Sequence, residues 1–169
     1  MEWGWFSIPH FPFTIHTRMR YWLLKSEPST YSIDDLARDR VTAWTGVRNY
    51  QARNFIRDEM QPGDRSFFYH SSCGEPGIVG VVEIAGAACP DETQFDRKSR
   101  YYDAGATREV PRWLNVDVAF VRKTRPVGVA ELRSQKALKN LQVLKRGNRL
   151  SITPVTKAEW ECIIRLLKK

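Results

Sequence analysis

The spacing of apolar residues predicts short strands along much of the chain. A strand is predicted wherever a short apolar or β-branched run is closed by Gly, Pro or charged residues. The predicted strands are residues 20–24, 41–44, 66–70, 78–85, 113–122 and 150–152. In the fifth run Leu114, Val116, Val118 and Phe120 alternate with other residues, which is the period of a half-buried strand.

Helices are predicted where apolar residues recur every three or four positions. They are a short helix capped by Ser32, a helix over residues 49–60, one or two short helices within 129–144, and a last helix that a capping box opens at Thr156. In the second helix Ala52, Phe55 and Ile56 share one face. The apolar stripe of the last helix indicates core packing.

Short strands interrupted by short helices, without regular βαβ alternation, favour an α+β fold over a doubly wound sheet. We therefore predict a curved or barrel-like mixed sheet surrounded by short helices. The sequence contains neither an internal repeat nor a low-complexity segment, so we predict a single domain over residues 19–169.

Residues 1–18 differ from the rest of the chain. They are rich in aromatic residues, contain Pro9 and Pro12, and follow no clear period. They lack the basic start and apolar core of a signal peptide. We interpret them as a leader that is disordered or dispensable, or as the product of a start codon placed too early, before Met19.

Residues 90–112 are polar and long for a simple connection. A loop of that length in a compact domain is usually functional or mobile. Its segment 99–103, Ser-Arg-Tyr-Tyr-Asp, is interpreted either as a flap over a pocket or as a packed loop, and the sequence does not decide between them.

Composition adds a basic charge to this picture. Of 169 residues 42% are hydrophobic, and 27 basic against 19 acidic residues give a net charge of +8. No window holds the roughly 18 apolar residues of a membrane span, so an integral membrane protein is not expected. The three cysteines lack CxxC spacing, which predicts neither a disulfide framework nor a zinc site. We expect reduced thiols, no metal, no cofactor and a cytoplasmic protein.

The run from Trp44 to Asn54 carries the strongest sign of a ligand site. It places two rings, two arginines, two asparagines and a glutamine on a predicted strand end, Gly turn and helix start. Rings stack on bases, amides read base edges, and arginine and a helix N-terminus attract phosphate. Trp44 and Tyr50 alone would suit a core, but the polar residues among them indicate a nucleotide site.

Three further stretches keep two interpretations each. Residues 25–28, Lys-Ser-Glu-Pro, form either the polar wall of a pocket or a strand-exit turn with an internal Lys–Glu pair. Residues 70–73, His-Ser-Ser-Cys, offer a base beside nucleophiles, or a strand end that lines a pocket. The basic turn 145–149 could grip a phosphate backbone or form a solvated hairpin tip.

In these stretches the sequence resembles the EVE domain family. The matching segments are residues 21–28, 46–55, 67–71, 76–78, 90–91, 93–95, 111–113, 116–118 and 149–151, in the family's order from about residue 20 to the C-terminus. The resemblance implies a PUA-like fold, related to the YTH readers of methylated adenine in RNA. It also implies a non-catalytic module whose pocket accepts a modified base in DNA or RNA.

The resemblance assigns pocket roles to residues of the matching segments, namely Trp22, Lys25, Ser26, Glu27, Trp44, Val47, Arg48, Asn49, Tyr50, Gln51, Tyr69, His70 and Ser71. Within that pocket we expect Trp22, Trp44 and Tyr69 to form the walls. One position departs from the family, which commonly has Asp where this chain has Thr45. The departure predicts a changed ligand preference if that carboxylate orients a base or a neighbouring arginine.

We therefore expect a nucleic acid, DNA or RNA, as the partner. Four arginines are predicted to hold phosphates, namely Arg48, Arg53, Arg146 and Arg149. Two alternatives remain, an enzyme that acts on a nucleotide through His70 with Ser71 or Cys73, and a binder of a small anionic metabolite or nucleotide.

Overall fold

The computed structural model describes residues 19–168, and this part of the chain forms eight β-strands and four α-helices. The strands are β1 (Tyr21–Ser26), β2 (Val41–Ala43), β3 (Arg65–His70), β4 (Gly77–Ile84), β5 (Cys89–Pro90), β6 (Leu114–Asn115), β7 (Asp117–Gly128) and β8 (Ile152–Val155). The helices are α1 (Ile33–Asp39), α2 (Tyr50–Asp58), α3 (Val129–Arg133) and α4 (Lys157–Leu167). Single 3₁₀ turns occupy Glu92–Gln94, Lys136–Leu138 and Gln142–Leu144. The predicted leader, residues 1–18, lies outside the described residues.

Six strands form one mixed sheet in the order β2-β7-β4-β3-β1-β8. Strands β1 and β3 run parallel, with Leu23 opposite Phe67, and every other neighbouring pair is antiparallel. Strands β5 and β6 form a separate two-stranded sheet. The prediction of an α+β fold with a mixed sheet and short helices is confirmed.

Several predicted strand bounds were wrong, and the predicted strand 113–122 is divided at Val116 into β6 and β7, which belong to different sheets. Strand β7 continues past Arg122 to Gly128, because β4 pairs with it as far as Gly77 opposite Gly128. The last strand begins at Ile152 and passes through Pro154. Proline is tolerated there because β8 is an edge strand, whose outer amides need no partner strand.

The two faces of the sheet bury separate cores. Alternation along β1 directs Trp22 and Leu24 to a first face and Leu23 to a second. Helices α1 and α2 cover the first face through buried apolar side chains, and α3 and α4 cover the second. No helix in the described part of the chain is long and apolar enough to cross a membrane.

A buried carboxylate fixes the start of β1. Asp64, 3% exposed, accepts a hydrogen bond from the indole Nε1 of Trp22 at 2.9 Å and another from the backbone N of Arg20 at 2.9 Å. It also accepts one from the backbone N of Gln61 at 3.1 Å. The turn before β3 is thereby held against the start of β1.

Replacing Asp64 by Ala should lower the free energy of unfolding by about 2 kcal/mol, because the buried indole N–H of Trp22 loses its acceptor. Urea denaturation measures the loss. Asp58→Ala is the matched control, since Asp58 pairs only with the half-exposed Arg57 and should change stability little. Equal, small losses in the two variants would contradict the role of Asp64.

Candidate functional site

A cavity of about 370 Å³ opens at the carboxyl end of β1. Its walls come from the end of β1 and the turn after it, from residues 42–47, and from Arg100 and Tyr101 of the long loop. Ser151, just before β8, completes the lining. The volume lies in the range of small-molecule sites, and the cavity is open to solvent.

Five of the predicted site residues line the cavity: Lys25, Ser26, Glu27, Trp44 and Val47. The Ser26 hydroxyl donates to the carbonyl of Tyr31 at 2.7 Å, which fixes the turn after β1. These residues come from two segments that the sequence analysis treated separately, and the fold brings them together.

Lys25 is the cation of the cavity wall. Its Nζ lies 3.5 Å from the backbone carbonyl of Asn148, and it forms no ion pair with any described residue. Burial lowers the pKa of Lys25, since the charged form loses water contact. Of the two interpretations of residues 25–28, the structure supports the pocket wall and not the internal Lys–Glu pair.

Trp44 contributes a ring and an unused donor. The side chain is 8% exposed, and its ring meets Phe68 edge-on at 5.6 Å. Trp22 and Trp113 donate their indole N–H to Asp64 and Asp103, whereas that of Trp44 has no acceptor among the described residues. The indole nitrogen of Trp44 is not fully buried.

Arg48 is occupied by the protein itself. Its guanidinium donates to Asp91 at 2.8 Å, to Thr93 at 2.9 Å, and twice to the carbonyl of Tyr101 at 2.6 and 3.0 Å. The remaining N–H donates to the carbonyl of Val47 at 3.0 Å. All five guanidinium N–H groups have acceptors, so the predicted phosphate contact is replaced by a structural one.

Asp91, which the sequence analysis did not single out, anchors this network. Its carboxylate is fully buried and accepts from the backbone N of Gly46 at 2.8 Å, from Arg48, and from the amide and hydroxyl of Thr93. Burial alone would raise the pKa of Asp91, but hydrogen bonds from Thr93, Arg48 and Gly46 outweigh it and lower the pKa. The only local signal is Asp91 at the start of the 3₁₀ turn with Thr93 two residues later.

Tyr101 lies directly against Gly46. Gly46 has φ +80°, and a Cβ added there would come within 2.6 Å of the Tyr101 ring. Only glycine permits both the backbone conformation and the approach of the ring. Because Arg100 and Tyr101 line the cavity, the structure places residues 99–103 beside the site and favours the flap over the simple packed loop.

The expected wall of three rings is not observed. Trp22 is 1% exposed and borders a different depression, at the start of β1. Tyr69 is 5% exposed and packs with Leu23 in the core of the second face. Alternation along β1 and β3 explains the correction, because the three rings belong to different faces or different ends of the strands.

The residues at the start of α2 have local roles. Asn49 caps the helix, accepting from the backbone N of Gln51 at 2.9 Å and of Ala52 at 3.1 Å. Gln51 is exposed, and Tyr50 is 54% exposed with its ring 4.9 Å from Trp113. None of these predicted pocket residues lines the cavity.

Arg53 is held against the protein surface. It donates to the side chain of Asn54 at 2.7 Å and to the carbonyl of Arg112 at 3.2 Å. Its guanidinium also lies 4.9 Å from the centre of the Tyr50 ring. These contacts assign it to packing of α2 against the long loop rather than to the cavity mouth.

His70 and Ser71 do not line the cavity but bond to neighbouring segments. Nε2 of His70 accepts from the backbone N of Ile33 at 3.1 Å, which secures the first residue of α1. The backbone N of Ser71 donates to the carbonyl of Ser26 at 2.9 Å. The bond from Ile33 occupies the free lone pair of His70, which disfavours its use as a catalytic base.

The two other predicted phosphate contacts, Arg146 and Arg149, are exposed and form no ion pair within residues 19–168. Their turn adjoins the cavity through the contact between Asn148 and Lys25. Arg100, exposed and likewise without an acidic partner, lies at the same cavity. Within the described chain, no group of three or more His, Cys, Asp or Glu side chains is arranged to hold a metal ion.

Comparison with known proteins identifies relatives along nearly the whole described chain. A family model described as the EVE domain matches residues 20–166. Thymocyte nuclear protein 1 of Gallus gallus is 46% identical over 166 residues, covering 86% of this chain and 68% of that protein. The protein of that name from Homo sapiens is 43% identical over 169 residues, covering 88% and 74%.

Solved structures agree with the fold. A hypothetical protein from Leishmania major superposes with a TM-score of 0.85 at 42% identity, covering 89% of this chain and 95% of that chain. Human thymocyte nuclear protein 1, solved in complex with DNA that contains 5-methylcytosine, gives a TM-score of 0.83 at 42% identity, with coverage of 89% and 98%.

Replacing Gly46 by Ala should lower the free energy of unfolding by roughly 3 kcal/mol, from the left-handed backbone and the clash with Tyr101. Gly63→Ala is the control, because Gly63 has φ +93° with open space around it and should lose only the backbone part, about 1 kcal/mol. Urea denaturation measures both. If Tyr101→Ala does not reduce the extra loss in the Gly46 variant, the ring contact is not its cause.

Stability should also depend on the protonation of His70. Burial lowers its pKa and the nearby Lys123 lowers it further, against an opposing effect of Asp34. The neutral ring therefore contributes stability that is complete above about pH 6.5 and is lost as the pH falls from there through the lowered pKa.

His70→Gln keeps an acceptor for the amide of Ile33 but cannot titrate, so its urea midpoint should fall less than that of the unaltered protein between pH 7 and pH 5. The histidines of the first 18 residues are common to both proteins and cancel in the comparison. Parallel pH dependences would show that His70 does not titrate in this range.

Proposed function

This chain belongs to the EVE domain family, and we propose that it is a nucleic-acid-binding module whose cavity accepts a modified nucleobase. One observation carries the proposal: an open cavity of about 370 Å³ combines a Trp44 ring that has an unused N–H with Lys25, which has no acidic partner. Rings, a free donor and an unpaired cation together suit a base and the phosphate attached to it.

A base reaches such a cavity by leaving its stack. The cost of unstacking is offset when the base stacks on a protein ring, a contact of about 1–3 kcal/mol. Trp44 and Tyr101 are the rings available, since both line the cavity. The indole N–H of Trp44 and the polar groups of residues 25–27 would then read the edge of the base.

Phosphates are assigned to the mouth of the cavity. Arg146 and Arg149 on one segment and Arg100 on another are exposed and carry no carboxylate partner among the described residues. Arg48 acts indirectly, since it fixes the carbonyl of Tyr101 and so the position of the flap. Contacts to phosphate release counterions, and binding should weaken as salt is added.

The human relative supports DNA with 5-methylcytosine as the first ligand to test, because that protein was solved in complex with such DNA. RNA is the second polymer to test. Thr45 lines the cavity at the position where the family commonly has Asp, so the modified base that this chain prefers can differ from that of its relatives.

The proposal is tested with pairs of oligonucleotides, DNA and RNA, in which one member carries a single modified base, beginning with methylated cytosine. We expect tighter binding of the modified member of at least one pair, and an affinity that falls with salt. Equal affinity for both members of every pair would overturn the reading of a modified base. Salt-independent binding of a free nucleotide, without binding of oligonucleotides, would instead establish a metabolite binder.

Lys25→Met should weaken binding of the preferred oligonucleotide about 10- to 100-fold, because a hydrogen bond to a charged group contributes about 1.5–3 kcal/mol. The same variant should unfold at an equal or higher urea concentration, since it removes a partly buried charge that no acidic group compensates.

Lys157→Met is the matched control, because Lys157 borders the other depression and lies away from the cavity. It should leave affinity nearly unchanged. A Lys25 variant that loses stability but keeps its affinity would show that Lys25 serves the fold and not the ligand.

A further inference from the structure

A long acid-free segment runs from the end of α3 through β8 to the start of α4. Residues 132–158 contain no Asp or Glu and form the longest acid-free stretch of the sequence. The same stretch contains seven cations, namely Arg133, Lys136, Lys139, Lys145, Arg146, Arg149 and Lys157. The function proposed above uses only Arg146 and Arg149 of this set.

The structure separates the apolar and basic residues of this segment. Leu132, Leu138 and Leu141 are buried in the core of the second face and anchor the end of α3 and the following 3₁₀ turn. Lys136 and Lys139 are exposed, and their spacing of three places them on the same side of a 3₁₀ turn. The segment thus buries its leucines in the core and exposes its cations to solvent.

These cations differ in their partners from those on the first face. Arg38 on α1 and Arg57 on α2 each form an ion pair with a neighbouring Asp. Arg133, Lys136 and Lys139 form no ion pair with any residue of the described chain. Unpaired like charges at short spacing repel, and an anionic partner would relieve that repulsion.

The basic segment is continuous with the mouth of the cavity. The side chain of Asn148 donates to the carbonyl of Gln142 at 2.6 Å, which ties the turn 145–149 to the 3₁₀ turn Gln142–Leu144. The carbonyl of Asn148 in turn meets Nζ of Lys25 inside the cavity. A strand whose base occupied the cavity would pass the turn 145–149, from which the basic segment extends back along the chain to α3.

We propose that Arg133, Lys136 and Lys139 form a second phosphate-binding surface, the basic track, which holds the backbone of the nucleic acid after it leaves the cavity. The inference rests on the proposed function, since the cavity positions the strand. Its ligand is the phosphodiester backbone, and it contributes affinity without reading the base.

The test compares the double variant Lys136→Gln/Lys139→Gln with Arg38→Gln/Arg57→Gln, which removes the same two charges from ion-paired sites. Each binds a single-stranded oligonucleotide of about 12 nucleotides that carries the preferred modified base, over a range of salt concentrations. The track variant should reduce the steepness of log K against log salt by roughly 1.4, about 0.7 for each lost phosphate contact. The control should leave the slope unchanged.

A trinucleotide with the same modified base separates the track from the cavity. The track variant should bind it as the unaltered protein does, and its preference for the modified base should persist with both oligonucleotides. If the long oligonucleotide shows an unchanged slope in the track variant while that preference persists, the track is wrong and the proposed function stands. If the unaltered protein shows no preference for any modified base, the proposed function fails instead.

Three further measurements complete the test. Thermal denaturation should be the same for the variants and the unaltered protein, and Lys136→Arg/Lys139→Arg should restore the slope because it restores the charge. Vesicles that contain phosphatidylserine test the other anionic surface. Binding to them that depends on Lys136 and Lys139, with no change in the oligonucleotide slope, would assign the segment to a membrane surface and overturn the track.

Discussion

The buried carboxylate of Asp91 is the constraint on which the cavity depends. An ionised group without contact to water is tolerated only when its oxygens have donors, and Gly46, Arg48 and Thr93 supply them. Gly46 lies 45 residues before Asp91 in the sequence. The long loop is therefore fastened to the turn after β2, and Arg48 carries that attachment on to the Tyr101 carbonyl.

The cavity combines this fastened loop with a rigid strand end. Lys25 and Ser26 belong to β1, which is hydrogen-bonded on both sides, to β3 and to β8. Trp44 belongs to the segment just after β2, and its backbone N donates to the carbonyl of Val116. Groups held on strands keep their positions, whereas the flap contributes a ring from a loop held by the Arg48 side chain and by a backbone hydrogen bond from Asp103 to Gln94.

Local chemistry made part of this structure predictable from the sequence. Apolar residues at helical spacing indicated α2, and Thr156 with Glu159 indicated α4 through reciprocal hydrogen bonds that the structure contains. Lys25 and Trp44 were recognised as candidates because their neighbours were too polar for a plain core. In each case the deciding residues lie within a few positions of one another.

Contacts between distant segments made the rest unpredictable. The acceptors of Arg48 include Asp91 and Tyr101, 43 and 53 residues away, and no local pattern shows that its donors are already used. Trp22 and Tyr69 carry the same residue types as a base-stacking wall. Only the parallel pairing of β1 with β3 shows that Tyr69 belongs to the second face and Trp22 to the far end of the strand.

The position of β1 also determines when the cavity can exist. This strand stands between β3 and β8, and Lys25 donates its backbone N to the carbonyl of Ser151, which itself lines the cavity. Because proteins emerge from the ribosome N-terminus first, β1 cannot complete its pairing until β8, more than a hundred residues later in the chain, has been synthesised. A nascent chain, or one truncated before Ser151, thus lacks one wall of the cavity.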